Sequence, residues 1–203
     1  MIHELDLFDG LVEYKTNESI IEGMTYVSDF LSLSEQQAVL QDVDLQPWRN
    51  DLKRRVQHYG YRYDYKARRV DHSMYLGTLP PFAIQVAGKL IERSLFTQFP
   101  DQLIVNEYLP GQGITAHIDC EPCFGKTIAM VSLGWTYEMD FINSQTRDAH
   151  AILLAPGSVL VISGEARYRW LHQIKARKTD HGVRRRRRVS LTFRNVLLSD
   201  LES

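Results

Sequence analysis

The second half of the chain alternates short apolar runs with turns rich in glycine, proline and asparagine. Such runs, rich in β-branched and aromatic residues and bounded by turn residues, predict strands rather than helices. Eight strands at this spacing favour a double-sheet jelly roll or a barrel. We predict these strands at 103–108, 114–117, 127–133, 137–142, 150–154, 158–162, 168–174 and 188–196.

Two segments that precede these strands have the apolar spacing of helices. In segment 33–43, Ala38, Val39 and their apolar neighbours recur at helical spacing, and Ser34 is a suitable N-cap. Segment 81–98 has the same spacing and starts with proline, which is common at the first helical position. We therefore predict an α+β fold in which amino-terminal helices pack outside the sheets of a jelly roll.

Length and composition are those of an ordinary globular domain. The chain has 203 residues, of which 44% are hydrophobic and 24% charged, and this size favours one domain. Its apolar runs are shorter than the roughly 18 residues of a membrane helix, and its acidic start is unlike a signal peptide. Two cysteines are too few for a disulfide framework and favour a reducing compartment. We expect a cytoplasmic monomer that does not bind membranes.

The net charge of −1 conceals a strong segregation of charge along the chain. Residues 1–44 contain ten acidic side chains and one lysine. The basic stretches 49–69 and 167–188 together hold 18 of the 24 lysines and arginines. If these stretches meet in space, they form a surface suited to a polyanion such as nucleic acid; otherwise they are two solvated faces.

A candidate metal site comes from two histidines and an aspartate. His117 and Asp119 stand at the end of one predicted strand, where residues i and i+2 project to the same face, and His172 lies in a later strand. Two histidines and one carboxylate leave three coordination positions open, as in non-haem iron(II) oxygenases. A His-x-Asp motif alone is weak evidence, because a buried histidine is more often only hydrogen-bonded.

The last predicted strand carries an arginine at each end. It reads Arg-Val-Ser-Leu-Thr-Phe-Arg from Arg188 to Arg194, so both arginines share its polar face. A buried arginine pair needs anionic partners, because an unpaired charge without water costs several kcal/mol. A dicarboxylate cosubstrate would supply these partners through bidentate contacts.

Four motifs follow one another along the chain: Asn106-x-Tyr108-x-Pro110-Gly111, His117-x-Asp119, His172, and Arg188-x-Ser190-x-Thr192-x-Arg194. In order and spacing they resemble the AlkB family of 2-oxoglutarate oxygenases over about residues 50–197. Residues 103–119 and the run Ser163-Gly-Glu-Ala-Arg-Tyr are most similar to the branch that includes the eukaryotic tRNA wobble-uridine hydroxylase.

This resemblance implies a double-stranded β-helix that uses iron(II), 2-oxoglutarate and dioxygen. In the family, the first arginine pairs with the distal carboxylate of 2-oxoglutarate, and the second lies near the end that chelates iron. Ser190 stands where the founding member has asparagine, which weakens one cosubstrate contact. The implied catalytic and metal-binding residues are His117, Asp119 and His172, and the implied 2-oxoglutarate-binding residues are Asn106, Tyr108, Arg188, Ser190 and Arg194.

We divide the single domain of residues 1–203 into four parts. Residues 1–48 are an acidic amino-terminal extension with a helix, and residues 49–80 are a nucleotide-recognition lid. Residues 81–100 form a supporting helix, and residues 101–197 form the catalytic jelly roll.

Substrate recognition is expected from segment 57–65, which interleaves tyrosines with basic residues and so suits base stacking beside phosphates. The alternative is a strand whose tyrosines pack on the domain. Resemblance to the AlkB lid, and to an acidic position two residues after the iron carboxylate, implies Tyr61, Tyr63 and Glu121 as substrate-binding residues. We expect arginines 184–187 to contact phosphates, unless they form a solvated loop.

Cys120 and Cys123 form a Cys-x-x-Cys motif, which in other proteins is redox-active or half of a zinc site. The sequence contains no evident second pair of zinc ligands. We therefore interpret the motif as a structural accident of the segment after Asp119, without a redox or zinc-binding role.

The expected function is oxidation of alkyl groups on nucleic-acid bases, as in oxidative demethylation of alkylated DNA or RNA. The target base must be single-stranded or flipped out of a duplex, because the predicted iron is buried. Hydroxylation of a modified tRNA wobble uridine is the alternative. The basic stretches disfavour a protein side-chain hydroxylase or demethylase, and the metal and arginine motifs disfavour a non-enzymatic RNA-binding module.

Overall fold

The computed structural model describes residues 21–50 and 52–198, which form twelve strands, three α-helices and a short 3-10 helix at His72–Met74. The helices are α1 (Leu33–Leu45), α2 (Pro81–Glu92) and α3 (Gly164–Tyr168). The strands are β1 (Met24–Val27), β2 (Val56–Tyr59), β3 (Gln102–Tyr108), β4 (Ile114–His117), β5 (Ile128–Leu133), β6 (Tyr137–Asn143), β7 (Ala149–Leu154), β8 (Val159–Ile162), β9 (Trp170–Ile174), β10 (Thr179–Asp180), β11 (Val183–Arg184) and β12 (Arg188–Arg194).

Two antiparallel sheets face each other, as in a jelly roll. The major sheet has the strand order β1-β8-β5-β12-β3-β2, and the minor sheet has the order β4-β9-β6-β7. Strands β10 and β11 form a separate hairpin. All eight strands expected from the sequence are present, each within two residues at either end, so the predicted α+β jelly roll is confirmed.

The major sheet is buried on both faces because each face packs against a different layer. On one face, Leu191 and Phe193 of β12 pack against α1 and α2, together with Leu103 and Val105 of β3. On the other face, apolar residues such as Met130 of β5 pack against the minor sheet. Alternation along the strands therefore divides the molecule into a helix side and an inter-sheet side.

The two predicted helices are confirmed with shifted ends. Helix α1 begins after Ser32 rather than Ser34, because Ser32 and Glu35 form a capping box: the Glu35 N–H donates to Ser32 Oγ and the Ser32 N–H donates to Glu35 Oε2. Helix α2 begins at Pro81 but ends at Glu92, six residues before the predicted end. Ser94 has a φ of 57°, and this left-handed backbone cannot continue a right-handed helix.

Four strands and one helix lie where the sequence predicted none, namely β1, β2, β10, β11 and α3. Strand β1 pairs with β8 at the edge of the major sheet, inside the segment assigned to an acidic extension, while residues 1–20 lie outside the described part. Strand β2 pairs with β3 at the opposite edge. Helix α3 replaces the start of the predicted strand 168–174. No helix within residues 21–50 and 52–198 is long and apolar enough to cross a membrane.

Candidate active site

The two histidines of the predicted metal set are brought together by strand pairing in the minor sheet. His117, the last residue of β4, lies directly opposite His172 of β9. Their imidazole ring centroids are 4.4 Å apart. Cross-strand neighbours of an antiparallel pair share one face, so both rings point to the inter-sheet side.

Asp119 completes this group two residues after β4. Its Oδ2 lies 3.9 Å from His172 Nε2 and has no hydrogen-bond partner within the described residues, whereas its Oδ1 accepts a 2.7 Å hydrogen bond from Arg194 Nη2. Burial by itself would raise the pKa of Asp119, but Arg194 and the adjacent imidazoles outweigh it and lower the pKa to about 2. The carboxylate is therefore ionised at neutral pH, with one buried oxygen free for another ligand.

The contacts of the two imidazoles bear on metal binding. The Nδ1 of His117 lies 2.8 Å from the carbonyl oxygen of Thr115, which can only accept, so Nδ1 donates there and Nε2 is the ring nitrogen left for another ligand. Burial and the neighbouring His117 lower the pKa of His172 to about 3, so its ring is neutral. Within residues 21–50 and 52–198, no three histidine, cysteine or acidic side chains already converge in the geometry of a formed metal cluster. The three side chains are neighbours rather than a closed ligand set.

Arg188 is fully buried and only partly hydrogen-bonded. Its Nη2 donates to Ser132 Oγ at 2.8 Å and, more weakly, to Ser190 Oγ at 3.4 Å. Its Nε and Nη1 have no partner in the described part of the chain. Burial lowers the pKa of Arg188 to about 10, so the guanidinium remains charged at neutral pH. A buried cation with two unused donors fits a carboxylate ligand.

One cavity of about 340 Å³ connects these groups, a volume within the usual range of small-molecule sites. The polar face of β12 and the alternate residues Asn106 and Tyr108 of β3 line it. All the residues predicted to bind the metal or 2-oxoglutarate are among its lining. The full lining is Leu52, Arg54, Tyr63, Tyr65, Arg68, Ile104, Asn106, Tyr108, Ile114, Thr115, His117, Ile118, Asp119, Cys120, Met130, Met139, His172, Arg188, Ser190, Thr192 and Arg194.

The predicted substrate residues are only partly brought to the cavity. Tyr63 lines it, but Tyr61 does not: the Tyr61 ring packs 5.1 Å from that of Tyr75, since the two residues form an isolated β-bridge. Glu121 is exposed and also lies outside the lining. Tyr65, two residues after Tyr63 on the same extended segment, lies in the cavity instead.

The two basic stretches do meet, but partly in ion pairs rather than as a free surface. Arg55 and Arg187, one from each stretch, both bind Glu107, and Arg187 also binds Asp44. Arg185 is fully buried, where it pairs with Asp180. The expectation that arginines 184–187 all contact phosphates is therefore wrong for Arg185.

The cysteines differ from the expectation as well. A turn after Asp119 brings Cys120 and Cys123 together, and the structure joins them in a disulfide. Both sulfur atoms lie 3.2–3.3 Å from the carbonyl oxygen of Arg68. The motif thus links the segment that follows the candidate metal ligands to segment 61–70.

Several site residues were missed by the sequence reading. Ser132 is the direct cross-strand partner of Ser190, a pairing that the sequence of either strand alone does not reveal. Arg167 is buried and donates to the backbone carbonyls of Asp119 and Cys120 at 3.0 and 3.3 Å, which holds the turn that carries the aspartate. Arg54 donates to Asn106 Oδ1 at 2.8 Å. Only Tyr65 could have been predicted from the sequence, because it lies two residues after Tyr63 and so shares the same face of an extended segment.

The chain is similar to known proteins over most of its length. A family model described as the 2OG-Fe(II) oxygenase superfamily matches residues 23–194. The chain is 37% identical over 210 residues to the Alkylated DNA repair protein ALKBH8 homolog of Arabidopsis thaliana, covering 89% of this chain and 60% of that protein. It is 35% identical over 175 residues to the tRNA (carboxymethyluridine(34)-5-O)-methyltransferase alkbh8 of Xenopus tropicalis, covering 84% and 28%. The chain thus spans less than two thirds of the length of either relative.

The fold agrees with a solved structure, described as that of OsALKBH1. The two superpose with a TM-score of 0.67 at 18% identity, covering 88% of this chain and 99% of that one. The match to the family model covers both candidate histidines, the aspartate and both arginines of β12. The chain belongs to the 2OG-Fe(II) oxygenase superfamily.

Proposed function

We propose that His117, Asp119 and His172 bind the iron(II) and that the protein oxidises alkyl groups on nucleic-acid bases. The observation that carries the metal assignment is the buried Asp119 Oδ2, which has no partner within the described residues and lies beside two adjacent imidazole rings. Two nitrogens and one oxygen are a donor set that suits iron(II). When bound, the metal supplies the oxidising chemistry, in which 2-oxoglutarate and dioxygen are consumed.

The rest of the cavity is proposed to hold 2-oxoglutarate. The two unused donors of Arg188 match the distal carboxylate, and Ser132 and Ser190 fix the guanidinium from the other side. Asn106, Tyr108 and Ser190 supply further polar groups along the same wall. Arg194 holds Asp119 in place through the 2.7 Å ion pair and lies at the metal end of the cosubstrate.

The substrate is proposed to be a base in DNA or RNA, presented single-stranded or flipped out of a duplex. The relative from Arabidopsis is named for alkylated DNA repair, which supports oxidative demethylation. Tyr63 and Tyr65 provide aromatic faces beside the candidate metal ligands. We propose residues 49–80 as the recognition segment, with Tyr65 in the role first given to Tyr61.

Hydroxylation of a modified tRNA wobble uridine is the second candidate function. Its support is the 35% identity to a protein named as a tRNA carboxymethyluridine methyltransferase. That relative is more than three times the length of the matching region, so its named activity need not lie there. The same cavity could serve either substrate, because both reactions oxidise a carbon attached to a base.

Mass spectrometry separates the two candidates. Single-stranded oligonucleotides that carry one methylated base or one modified uridine are incubated with the protein, iron(II), ascorbate and 2-oxoglutarate. A product lighter by one methylene unit indicates demethylation, and a product heavier by one oxygen indicates stable hydroxylation. Succinate release without any change in either oligonucleotide, but with an acidic peptide oxidised, would instead support a protein substrate.

A further inference from the structure

The cavity has a charge imbalance that iron and cosubstrate do not remove. Among its described lining residues, four arginines face a single carboxylate, Asp119. Under the proposed function, the two positive charges of iron(II) cancel the two negative charges of 2-oxoglutarate. Counting only these arginines and this carboxylate, the lining keeps an excess of three positive charges after both have bound. An oxyanion on the substrate would reduce this excess.

Two of the four arginines, Arg54 and Arg68, belong to segment 49–80 and lie at the exposed end of the cavity. We call Arg54, Tyr63, Tyr65 and Arg68 the rim, because all four line the cavity and none is buried. Arg188 and Arg194, by contrast, are buried beside Ser132 and Asp119. The Tyr108 ring is close to one arginine of each set: its centroid lies 5.5 Å from Arg188 Cζ and 5.7 Å from Arg54 Cζ.

Neither rim arginine forms an ion pair with a carboxylate within residues 21–50 and 52–198. Arg54 is fixed by the hydrogen bond from its Nε to Asn106, which leaves its Nη groups for another acceptor. Arg68 is fixed through its backbone, whose carbonyl oxygen lies against both cysteine sulfurs.

The rim also contains the aromatic groups that a nucleotide needs. The rings of Tyr63 and Tyr65 are 5.0 Å apart and nearly perpendicular. Partial loss of solvent raises the pKa of both tyrosines. Arg68 opposes this rise at Tyr63 and Arg54 opposes it at Tyr65, so each tyrosine has an arginine nearby. Aromatic faces for a base, flanked by guanidinium groups for an anion, are the usual elements of single-strand recognition.

We propose that Arg54 and Arg68 form an oxyanion subsite at the rim, which binds a phosphate or a carboxylate of the nucleotide whose base is oxidised. This inference rests on the proposed function and adds the group by which the nucleotide is held. A phosphate next to the target base and a carboxylate on the base itself offer the same chemistry. The two sources are separated by the probes described next.

The test is a binding cycle on the full chain with iron(II) and 2-oxoglutarate, without oxygen. Fluorescence anisotropy measures affinity for a single-stranded pentanucleotide with a central 1-methyladenine, either with ordinary phosphates or with neutral methylphosphonates on both sides of that base. A second pair of probes has a central 5-carboxymethyluridine or its neutral amide. The variants are Arg68→Gln and Arg54→Gln, with Arg147→Gln, an exposed arginine outside the cavity, as the matched control.

We expect neutralising the correct anion to weaken wild-type binding by about tenfold, the scale of one charge-assisted hydrogen bond. Arg68→Gln should weaken binding of the charged probe and make binding less sensitive to neutralisation than in the wild type, because one of the two arginine contacts is already lost. For Arg147→Gln, sensitivity to neutralisation should equal that of the wild type. If the arginine variants are less sensitive than the wild type to the methylphosphonate replacement, the bound anion is a phosphate. If they are less sensitive to the amide replacement, it is the carboxylate on the base.

The subsite is refuted if each arginine substitution weakens binding of the charged and the neutral probe by the same factor in both probe pairs, because the arginines and the anion would then act independently. It is also refuted if the wild type does not distinguish the charged from the neutral form of either probe. Succinate release by the same preparations in air, without nucleic acid, tests the oxygenase chemistry separately. A protein that releases succinate but shows no coupling retains the proposed function and loses the subsite.

Discussion

Successive residues of strand β12 point to two faces that differ in polarity and in hydrogen bonding. On the helix side, Val189, Leu191 and Phe193 are fully buried among apolar neighbours. On the inter-sheet side, Arg188 and Arg194 are buried with donors that lack protein partners in the described residues. The first face stabilises the fold, and the second keeps unsatisfied groups that only a ligand can satisfy. Alternate residues of this strand therefore serve different purposes, since one set packs the core and the other lines the cavity.

The largest expected effect on the chemical side is loss of a metal ligand. His117→Ala should lower succinate release by much more than the 10- to 100-fold typical of residues that only orient a ligand. Because His117 is partly exposed, the melting temperature should change little. The measurement is 2-oxoglutarate turnover beside thermal unfolding, and unchanged succinate release would contradict the metal assignment.

The largest expected effect on the stabilising side is a core truncation. Phe193→Ala should lower the free energy of unfolding by about 3–5 kcal/mol, because it leaves a cavity between β12 and the helices. The folded variant should keep the wild-type KM for 2-oxoglutarate, since Phe193 points away from the cosubstrate. Urea unfolding together with steady-state kinetics checks both statements. A large rise in KM would show that the two faces are not independent.

Two buried arginines of the same run sharpen the comparison. Arg188→Met should raise the KM for 2-oxoglutarate by roughly 10- to 100-fold, since it removes a charged contact of about 1.5–3 kcal/mol. The same substitution should leave stability unchanged or higher, because it removes a buried, incompletely paired charge.

The matched control is Arg185→Met, because Arg185 is equally buried but fully engaged with Asp180 and two carbonyl groups. It should destabilise the fold by about 3 kcal/mol without changing the KM for 2-oxoglutarate. If both variants behaved alike in stability and in kinetics, the special role of Arg188 would be lost.

The smallest expected effect is a pH-dependent one at the helix side. The hydrogen bond from Lys89 of α2 lowers the pKa of Glu35 from 4.5 to about 2. Since the folded-state pKa is depressed, this carboxylate stabilises the fold above about pH 4.5, and the contribution is lost as pH falls towards 2.

Glu35→Gln should therefore cost less than about 1 kcal/mol at pH 7, because the side chain is 42% exposed. The difference in unfolding free energy between wild type and variant should shrink below pH 4.5 and vanish near pH 2. Denaturant unfolding at a series of pH values measures it. If the difference in unfolding free energy grew as the pH fell, the ionised Glu35 would not be stabilising the fold and the prediction would be wrong.

Local patterns were sufficient where the fold repeats with a fixed period. The alternation of β12 predicted which of its residues line the cavity, and the apolar spacing predicted α1 and α2. Strand β1 was missed because it forms through pairing with β8, whose residues lie more than 130 positions away.

The site residues that escaped prediction depend on contacts between distant segments. Nothing in a run of five arginines distinguishes Arg185, which is buried because Asp180 lies beside it. Tyr61 and Tyr65 have equivalent spacing from Tyr63, and only the bridge between Tyr61 and Tyr75 decides which one leaves the cavity. The opposition of His117 and His172 is likewise a matter of strand register.

The most direct test is an anaerobic calorimetric titration with iron(II), followed by 2-oxoglutarate, on the wild type and on His172→Ala and Arg188→Met. We predict one iron(II) per wild-type chain, greatly weakened iron binding in His172→Ala, and normal iron but weak 2-oxoglutarate binding in Arg188→Met. Iron(II) bound by His172→Ala with wild-type affinity would contradict the claim that the paired imidazoles and Asp119 hold one ion.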